Sequence, residues 1–105
     1  MGIHAVNAND VEVEQSAHGH TKYLRRSDKR DAPTIMIRHW GRDTNISAHK
    51  HPYGEMFYVL DGEIEMGGVV YPAGSCIYIE KDTEYGPTRA PKGGTVLRFA
   101  EGRST

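Results

Sequence analysis

The sequence predicts an all-β domain, an antiparallel sandwich or barrel. Apolar runs are short, and turn residues separate them about every eight to twelve positions, a spacing typical of such folds. Glycine (12 of 105 residues) and tyrosine (6) are well represented, which suits strands and turns better than a helical bundle. No segment carries apolar residues at the helical period of 3.6.

Each predicted strand is an apolar run bounded by turn residues. The pair Asp61-Gly62 indicates a hairpin turn that ends the strongest run, and Gly67-Gly68 indicates a second, tight hairpin. The predicted strands cover residues 34–40, 55–62, 63–66, 69–72, 76–80 and 95–100.

The chain divides into an N-terminal arm and a main body. Residues 1–33 are polar and charged, and we expect them to form an arm or strand that packs on the body. Residues 34–105 carry the predicted strands and form the barrel. A chain of 105 residues is of a size that builds one hydrophobic core.

Charge and cysteine content exclude several classes of function. With 13 basic and 14 acidic residues the net charge is −1, so no overall field favours nucleic acid. No segment has the length of a membrane span or the form of a signal peptide. A single cysteine, Cys76, suits a reducing compartment. We expect a cytoplasmic protein without membrane or nucleic-acid partners, and a buried Cys76 in its apolar strand.

The stretch AHKHPYGEMFYVLDGE, residues 48–63, holds the strongest chemical signal. On a strand, His49 and His51 project to the same side, and Glu55 opens the next strand after a turn. If Glu55 faces inward, alternation puts Phe57 and Val59 inside with it. Two imidazoles and one carboxylate suit iron, manganese, nickel or zinc. The alternative is that both histidines are exposed loop residues.

Other strand residues are candidates for contact with a ligand. Arg38 and Arg98 lie where alternation could aim them into the interior, and a buried cation needs an anionic ligand or a carboxylate partner. In the alternative interpretation, both arginines face solvent. Four aromatic residues could line a pocket or fill the core: Trp40, Tyr53, Phe57 and Tyr78.

The spacing H-x-H-x3-E-x6-G, made by His49, His51, Glu55 and Gly62, resembles the first motif of the cupin superfamily. Residues 71–87, YPAGSCIYIEKDTEYGP, resemble the segment around the second motif, G-x5-P-x-G-x2-H. The resemblance implies a small antiparallel β-barrel (a double-stranded β-helix or jelly roll), a homodimer, and one divalent metal ion in the barrel held by His49, His51 and Glu55.

The sequence departs from the cupin pattern at several positions. The leading glycine of the first motif falls on Asp43, and the proline and second glycine of the second motif fall on Glu80 and Asp82. The family's fourth ligand, a histidine, falls on Tyr85. Tyr85 could bind metal as a phenolate, transfer protons beside the metal, or line the pocket. We favour proton transfer.

Four functions follow from the resemblance. We favour a metal-dependent enzyme that acts on a small organic molecule, with a non-haem dioxygenase as the leading interpretation. A non-oxidative isomerase, lyase or dehydratase would use Tyr85 in proton transfer. A third interpretation is a sensor that binds a metal or small ligand without turnover. In the fourth, a metal-free barrel, His49 or Tyr85 performs the acid–base chemistry. Fold does not choose among these.

Overall fold

A computed structural model describes residues 2–26 and 33–102. Its nine strands pair antiparallel throughout, and its helical content is one 3-10 turn, Ala8–Asp10. The predicted all-β antiparallel fold is therefore confirmed. No helix in the described part is long and apolar enough to cross a membrane. The strands are β1 (Glu14–Ser16), β2 (Gly19–Arg25), β3 (Thr34–Trp40), β4 (Asn45–Ile46), β5 (Glu55–Met66), β6 (Val69–Pro72), β7 (Cys76–Ile79), β8 (Thr88–Arg89) and β9 (Gly94–Ala100).

The long strand β5 organises the sheet. The strand order is β1-β2-β3-β9-β5-β8-β4, and β6 and β7 also pair with β5. The first half of β5 lies between β9 and β7, and its second half pairs with β6 and β8. Because one strand serves two sets of neighbours, the sheet curls into a half-barrel that encloses a cavity.

The predicted end of a strand at Asp61-Gly62 is wrong. β5 continues through both residues, with a register shift against β9 between Val59 and Asp61. The extra residue at this shift is Leu60, a bulge that bends the strand without ending it, and Gly62 follows it with a φ of +69°. The second predicted hairpin is confirmed, since Met66 pairs with Val69 across Gly67-Gly68.

Alternation along β5 separates an inner from an outer face. Glu55, Phe57 and Val59 are buried, whereas Tyr58 and Leu60 between and beyond them are exposed. The core lies inside the curl and consists of Trp40, Phe57, Val59, Ile64, Met66, Ile79, Ala90 and Val96.

Two expectations for β7 are wrong. Cys76 is exposed, and Tyr78 is 60% exposed and donates its hydroxyl to Glu101 at 3.0 Å. Ile79 is the buried residue of this strand, and Ile77 is half-buried. Cys76 and Tyr78, which the sequence suggested for the interior, thus point outward. A strand of four residues shows too little alternation for the sequence to reveal which side is buried.

The N-terminal segment contributes two strands to the sheet. β2 pairs with β3 over its length, and β1 pairs with β2. The predicted boundary between arm and barrel at residue 33 adjoins residues 27–32, which lie outside the described part, so this division stays a prediction. The short strands β4 and β8 escaped prediction because two residues carry no periodic signal.

Gly62→Ala should destabilise the protein more than Gly68→Ala. Both glycines have positive φ, a conformation that costs other residues about 1–2 kcal/mol. At Gly62 an added Cβ would also overlap the carbonyl oxygen of Gly93, whereas at Gly68 it meets nothing within 4 Å. Urea denaturation of both variants measures the difference. Equal losses of unfolding free energy would show that the close approach at Gly62 does not constrain β5.

Candidate functional site

The half-barrel encloses a cavity of about 650 Å³. Its walls come from β2, β3, β5, β8 and β9, and from the segments around residues 46–51 and 85. Seven of the nine predicted site residues line it: Arg38, Trp40, His49, His51, Phe57, Tyr85 and Arg98. The other two, Tyr53 and Glu55, contact Arg98.

Backbone hydrogen bonds fix His49, His51 and Tyr85 beside one another. The N–H of His49 donates to the carbonyl of Tyr85 at 3.1 Å, and the N–H of Tyr85 donates to the carbonyl of His49 at 2.9 Å. The N–H of Asp82 donates to the carbonyl of His51 at 2.7 Å. The ring centroid of His49 lies 4.9 Å from that of His51 and 4.7 Å from that of Tyr85.

The environment of His49 selects one tautomer. Its Nδ1 lies 2.9 Å from the carbonyl oxygen of Ser47, and a carbonyl can only accept, so Nδ1 carries the proton. The lone pair is then on Nε2. Such a contact to a carbonyl is the arrangement that orients metal-binding histidines in proteins.

The carboxylate of Glu55 forms an ion pair with Arg98. Nε and Nη2 of Arg98 donate to Oε2 of Glu55 at 2.7 and 2.6 Å. Glu55 is 1% exposed and Arg98 is 8% exposed, so the pair lies in the interior, between the central strands β5 and β9. Arg98 also donates to the hydroxyl of Tyr53 at 3.4 Å. The inward orientation considered for Arg98 is the one that the structure adopts.

The other oxygen of Glu55 has no hydrogen-bond partner although it is buried. It faces Nε2 of His51 at 3.9 Å, too far for a hydrogen bond. An unsatisfied buried carboxylate oxygen is costly and calls for a partner. This oxygen and Nε2 of His51 are therefore the atoms of the site best placed to contact a further group.

Burial shifts the proton affinities around this carboxylate. The pKa of Tyr85 is raised far above its usual value, first by burial and then by the nearby carboxylate of Glu55. Burial lowers the pKa of His51, and the charge of Glu55 opposes that effect while Arg98 and His49 reinforce it. Tyr85 therefore stays a phenol and His51 a neutral imidazole at neutral pH.

Arg38 and Trp40 form the wall that β3 contributes. Arg38 donates to the carbonyl of Ala17 at 3.1 Å and to the hydroxyl of Thr21 at 3.4 Å. Its guanidinium carbon lies 5.5 Å from the centroid of the Trp40 ring, and Trp40 packs against Phe57 at 6.0 Å. Trp40 and Phe57 thus serve both as core and as lining.

Sequence reasoning missed the part of the lining that lies on β2 and beside it. Tyr23 and Arg26 line the cavity, and Arg26 stacks on the Tyr23 ring at 3.7 Å. Side chains alternate between the two faces of β2 along Thr21, Lys22 and Tyr23, and this pattern could have indicated that Tyr23 faces the cavity. The charged composition of the segment concealed it.

The family of the chain follows from its sequence. Residues 2–105 match the family described as the ChrR Cupin-like domain. The chain belongs to this cupin family. No protein of curated function matches the sequence.

Solved structures share this cupin's fold at low sequence identity. An RmlC-like cupin from Shewanella frigidimarina is 19% identical with a TM-score of 0.78, over 94% of this chain and 90% of that one. A protein provisionally assigned as an acetylacetone dioxygenase from Methylibium petroleiphilum is 14% identical with a TM-score of 0.80, over 94% and 76%. FeII HppE is 14% identical with a TM-score of 0.76, over 94% and 60%. At such identities the likeness shows the fold alone.

The cupin fold implies a metal ion, and the donor types of the site suit one. The unpartnered Glu55 oxygen, Nε2 of His51 and the lone pair of His49 are ligands that divalent transition metals accept. However, in residues 2–26 and 33–102 no three side chains of His, Cys, Asp or Glu lie close enough together to hold an ion. Binding by all three predicted ligands would require the histidine segment to approach Glu55. The predicted ligand set stays a prediction.

Arg98→Met should destabilise the metal-free protein by about 3–5 kcal/mol, because it leaves the carboxylate of Glu55 buried without its cation. Adding Glu55→Gln to this variant should recover part of the loss. Urea denaturation after chelator treatment measures both. The control is Arg89→Met, which removes an exposed arginine on β8 and should change stability by less than about 0.5 kcal/mol. Similar effects of Arg98→Met and Arg89→Met would refute the structural importance of the pair.

Proposed function

We propose that this cupin is a metal-dependent enzyme that acts on a small organic molecule, with His49, His51 and Glu55 holding one divalent ion. The observation that carries the proposal is the buried, unpartnered oxygen of Glu55 that faces Nε2 of His51. A cation there would satisfy that oxygen. The cavity of about 650 Å³ beside it has the size of a small-molecule site.

A non-haem dioxygenase is the finer form of the proposal. Two structures with this fold are named as FeII HppE and, provisionally, as an acetylacetone dioxygenase, and a site of two histidines and one carboxylate with open positions is typical of non-haem iron oxygenases. Manganese, nickel and zinc accept the same ligands. A bound divalent ion would act as a Lewis acid that stabilises negative charge on a ligand oxygen.

The chain's own residues prepare the site for that chemistry. Arg98 fixes the carboxylate of Glu55 through one oxygen and leaves the other free. The carbonyl of Ser47 holds His49 in the tautomer with a lone pair on Nε2. Tyr85, kept as a phenol, can donate a hydrogen bond to an oxygen of the bound molecule. Trp40 and Phe57 give the cavity an apolar wall.

A non-oxidative isomerase, lyase or dehydratase is the second candidate. The position of Tyr85 favours it, since Tyr85 lines the cavity next to His49 and His51. A protonated phenol can stabilise a developing oxyanion by donating a hydrogen bond, and it can return a proton at the end of the reaction. A sensor that binds its ligand without turnover is what remains if neither reaction class is found.

His51→Ala should abolish metal binding, because removal of one of three ligands leaves too few for retention. Elemental analysis of protein purified without chelators measures metal content, with His39→Ala as the control, since His39 instead contacts Thr95 at 2.9 Å. Equal metal content in the His51→Ala variant and the wild type would refute the proposed ligands.

Tyr85→Phe should retain the metal but lower turnover, because the hydroxyl that donates to the bound molecule is lost. The substrate for this assay is the one identified from a panel of diketones, catechols and hydroxy acids.

We also propose a homodimer in the cytoplasm, formed through the outer face of the sheet. Apolar side chains lie next to one another there in register, with Met56 of β5 opposite both Tyr78 and Phe99. Tyr58, on the same face, is 40% exposed. A second copy of this face would cover the patch, and aromatic residues are enriched in such interfaces.

Tyr58→Lys should convert this dimer to a monomer, because it places a charge in the centre of the apolar face. Light scattering coupled to size exclusion measures the molar mass. Lys81→Glu, in an exposed turn, is the control for an altered surface charge. A monomeric wild type, or a dimeric Tyr58→Lys variant, would refute this interface.

A further inference from the structure

The lining of the cavity carries an excess of positive charge. Three arginines, Arg26, Arg38 and Arg98, contribute to it. Within the described ranges, no aspartate or glutamate is among the lining residues. A ligand that enters the cavity therefore meets guanidinium groups and imidazoles, with no acidic lining residue to repel an anion.

Two of these arginines already have carboxylate partners. Arg98 pairs with Glu55 at 2.6 Å, and Arg26 pairs with Glu14 near the rim. Arg38 differs from both. Its partners are neutral oxygens, those of Ala17 and Thr21, and no described carboxylate lies within ion-pair distance of it.

The charge of Arg38 is in an unfavourable environment. Burial lowers its pKa, and the charge of Arg98 lowers it further, while Tyr23 has the opposite effect. A cation that is partly withdrawn from water and lacks a counter-ion loses hydration without Coulombic compensation. The free protein thus leaves a place for one negative charge at this wall.

Two N–H groups at this wall also lack acceptors. Arg38 and Trp40 are two apart on β3, so their side chains lie on the same face, the one that lines the cavity. Nε of Arg38 and Nε1 of Trp40 are both buried and have no hydrogen-bond partner. Buried donors are almost always satisfied, so the protein leaves this wall short of hydrogen-bond acceptors.

We propose that the cavity binds an organic monoanion, a carboxylate on a small apolar or aromatic group, with the carboxylate paired to Arg38. This inference rests on the proposed function and names the class of its substrate. One unpaired guanidinium matches one carboxylate, which it binds through two of its N–H groups. The aromatic walls of Trp40 and Phe57 suit the apolar part of the molecule.

The only tryptophan of the chain lies at this wall, so its fluorescence reports occupancy directly. The probes are phenylacetate and its neutral analogue phenylacetamide, titrated into chelator-treated protein at low ionic strength. Phenylacetate should shift the emission of Trp40 and bind at least about tenfold more tightly than the amide, because hydrogen bonds between charged groups are stronger than those to a neutral partner.

Substitutions of Arg38 test which group selects the carboxylate. Arg38→Met and Arg38→Gln should lose the preference for phenylacetate, Arg38→Lys should keep part of it, and Arg89→Met should leave it unchanged. The Gln and Lys variants retain donors toward Ala17 and Thr21, so this pair decides the question if the Met variant fails to fold. No emission change with phenylacetate, equal binding of acid and amide, or an undiminished preference in Arg38→Gln would each overturn the proposal.

This outcome is independent of the metal. The titration uses metal-free protein, whereas the ligand assignment is tested by metal content. Binding of phenylacetate by a protein that never retains metal would support the carboxylate site and refute the metal-dependent enzyme. Retention of metal without carboxylate selectivity would do the reverse.

Discussion

The ion pair between Glu55 and Arg98 is the interaction on which the rest of the site depends. It joins the two central strands of the curled sheet inside the barrel, where one charge without the other would be unstable. The pair fixes one carboxylate oxygen and leaves the second unsatisfied beside His51. Burial, and after it this carboxylate, raises the pKa of Tyr85, so the residue stays a phenol.

The pair also determines what charge the site presents to a ligand. In many metal centres a carboxylate ligand offsets part of the charge of the ion, but here Arg98 already offsets that of Glu55. An added cation would therefore meet a nearly neutral pair, and its affinity would rest on the two imidazoles and one oxygen. Arg38, on the neighbouring strand β3, has no such offset. Two adjacent strands thus present one compensated and one uncompensated guanidinium group to a ligand in the cavity.

Much of the fold was predictable, and the failures have physical causes. Strand β3 was predicted with the observed bounds, because its apolar run lies between clear turn residues. The inward face of β5 followed from the alternation of Glu55, Phe57 and Val59. Asp61-Gly62 misled because a glycine with positive φ can lie inside a bent strand as well as in a hairpin turn. For the site, local spacing indicated His49 and His51, and the family resemblance indicated Tyr85. A pairing between residues 43 positions apart, Glu55 and Arg98, has no local signal.

The order of the strands affects how the protein folds during its synthesis on the ribosome. β3, made early, pairs with β9, and so does the first half of β5. Until Gly94–Ala100 leaves the exit tunnel, β3 and β5 therefore lack the strand that lies between them, and the nascent chain exposes apolar side chains meant for the core. Closure of the sheet is deferred to the moment when β9 emerges. Until then the unfinished chain exposes unpaired strand edges, which favour aggregation.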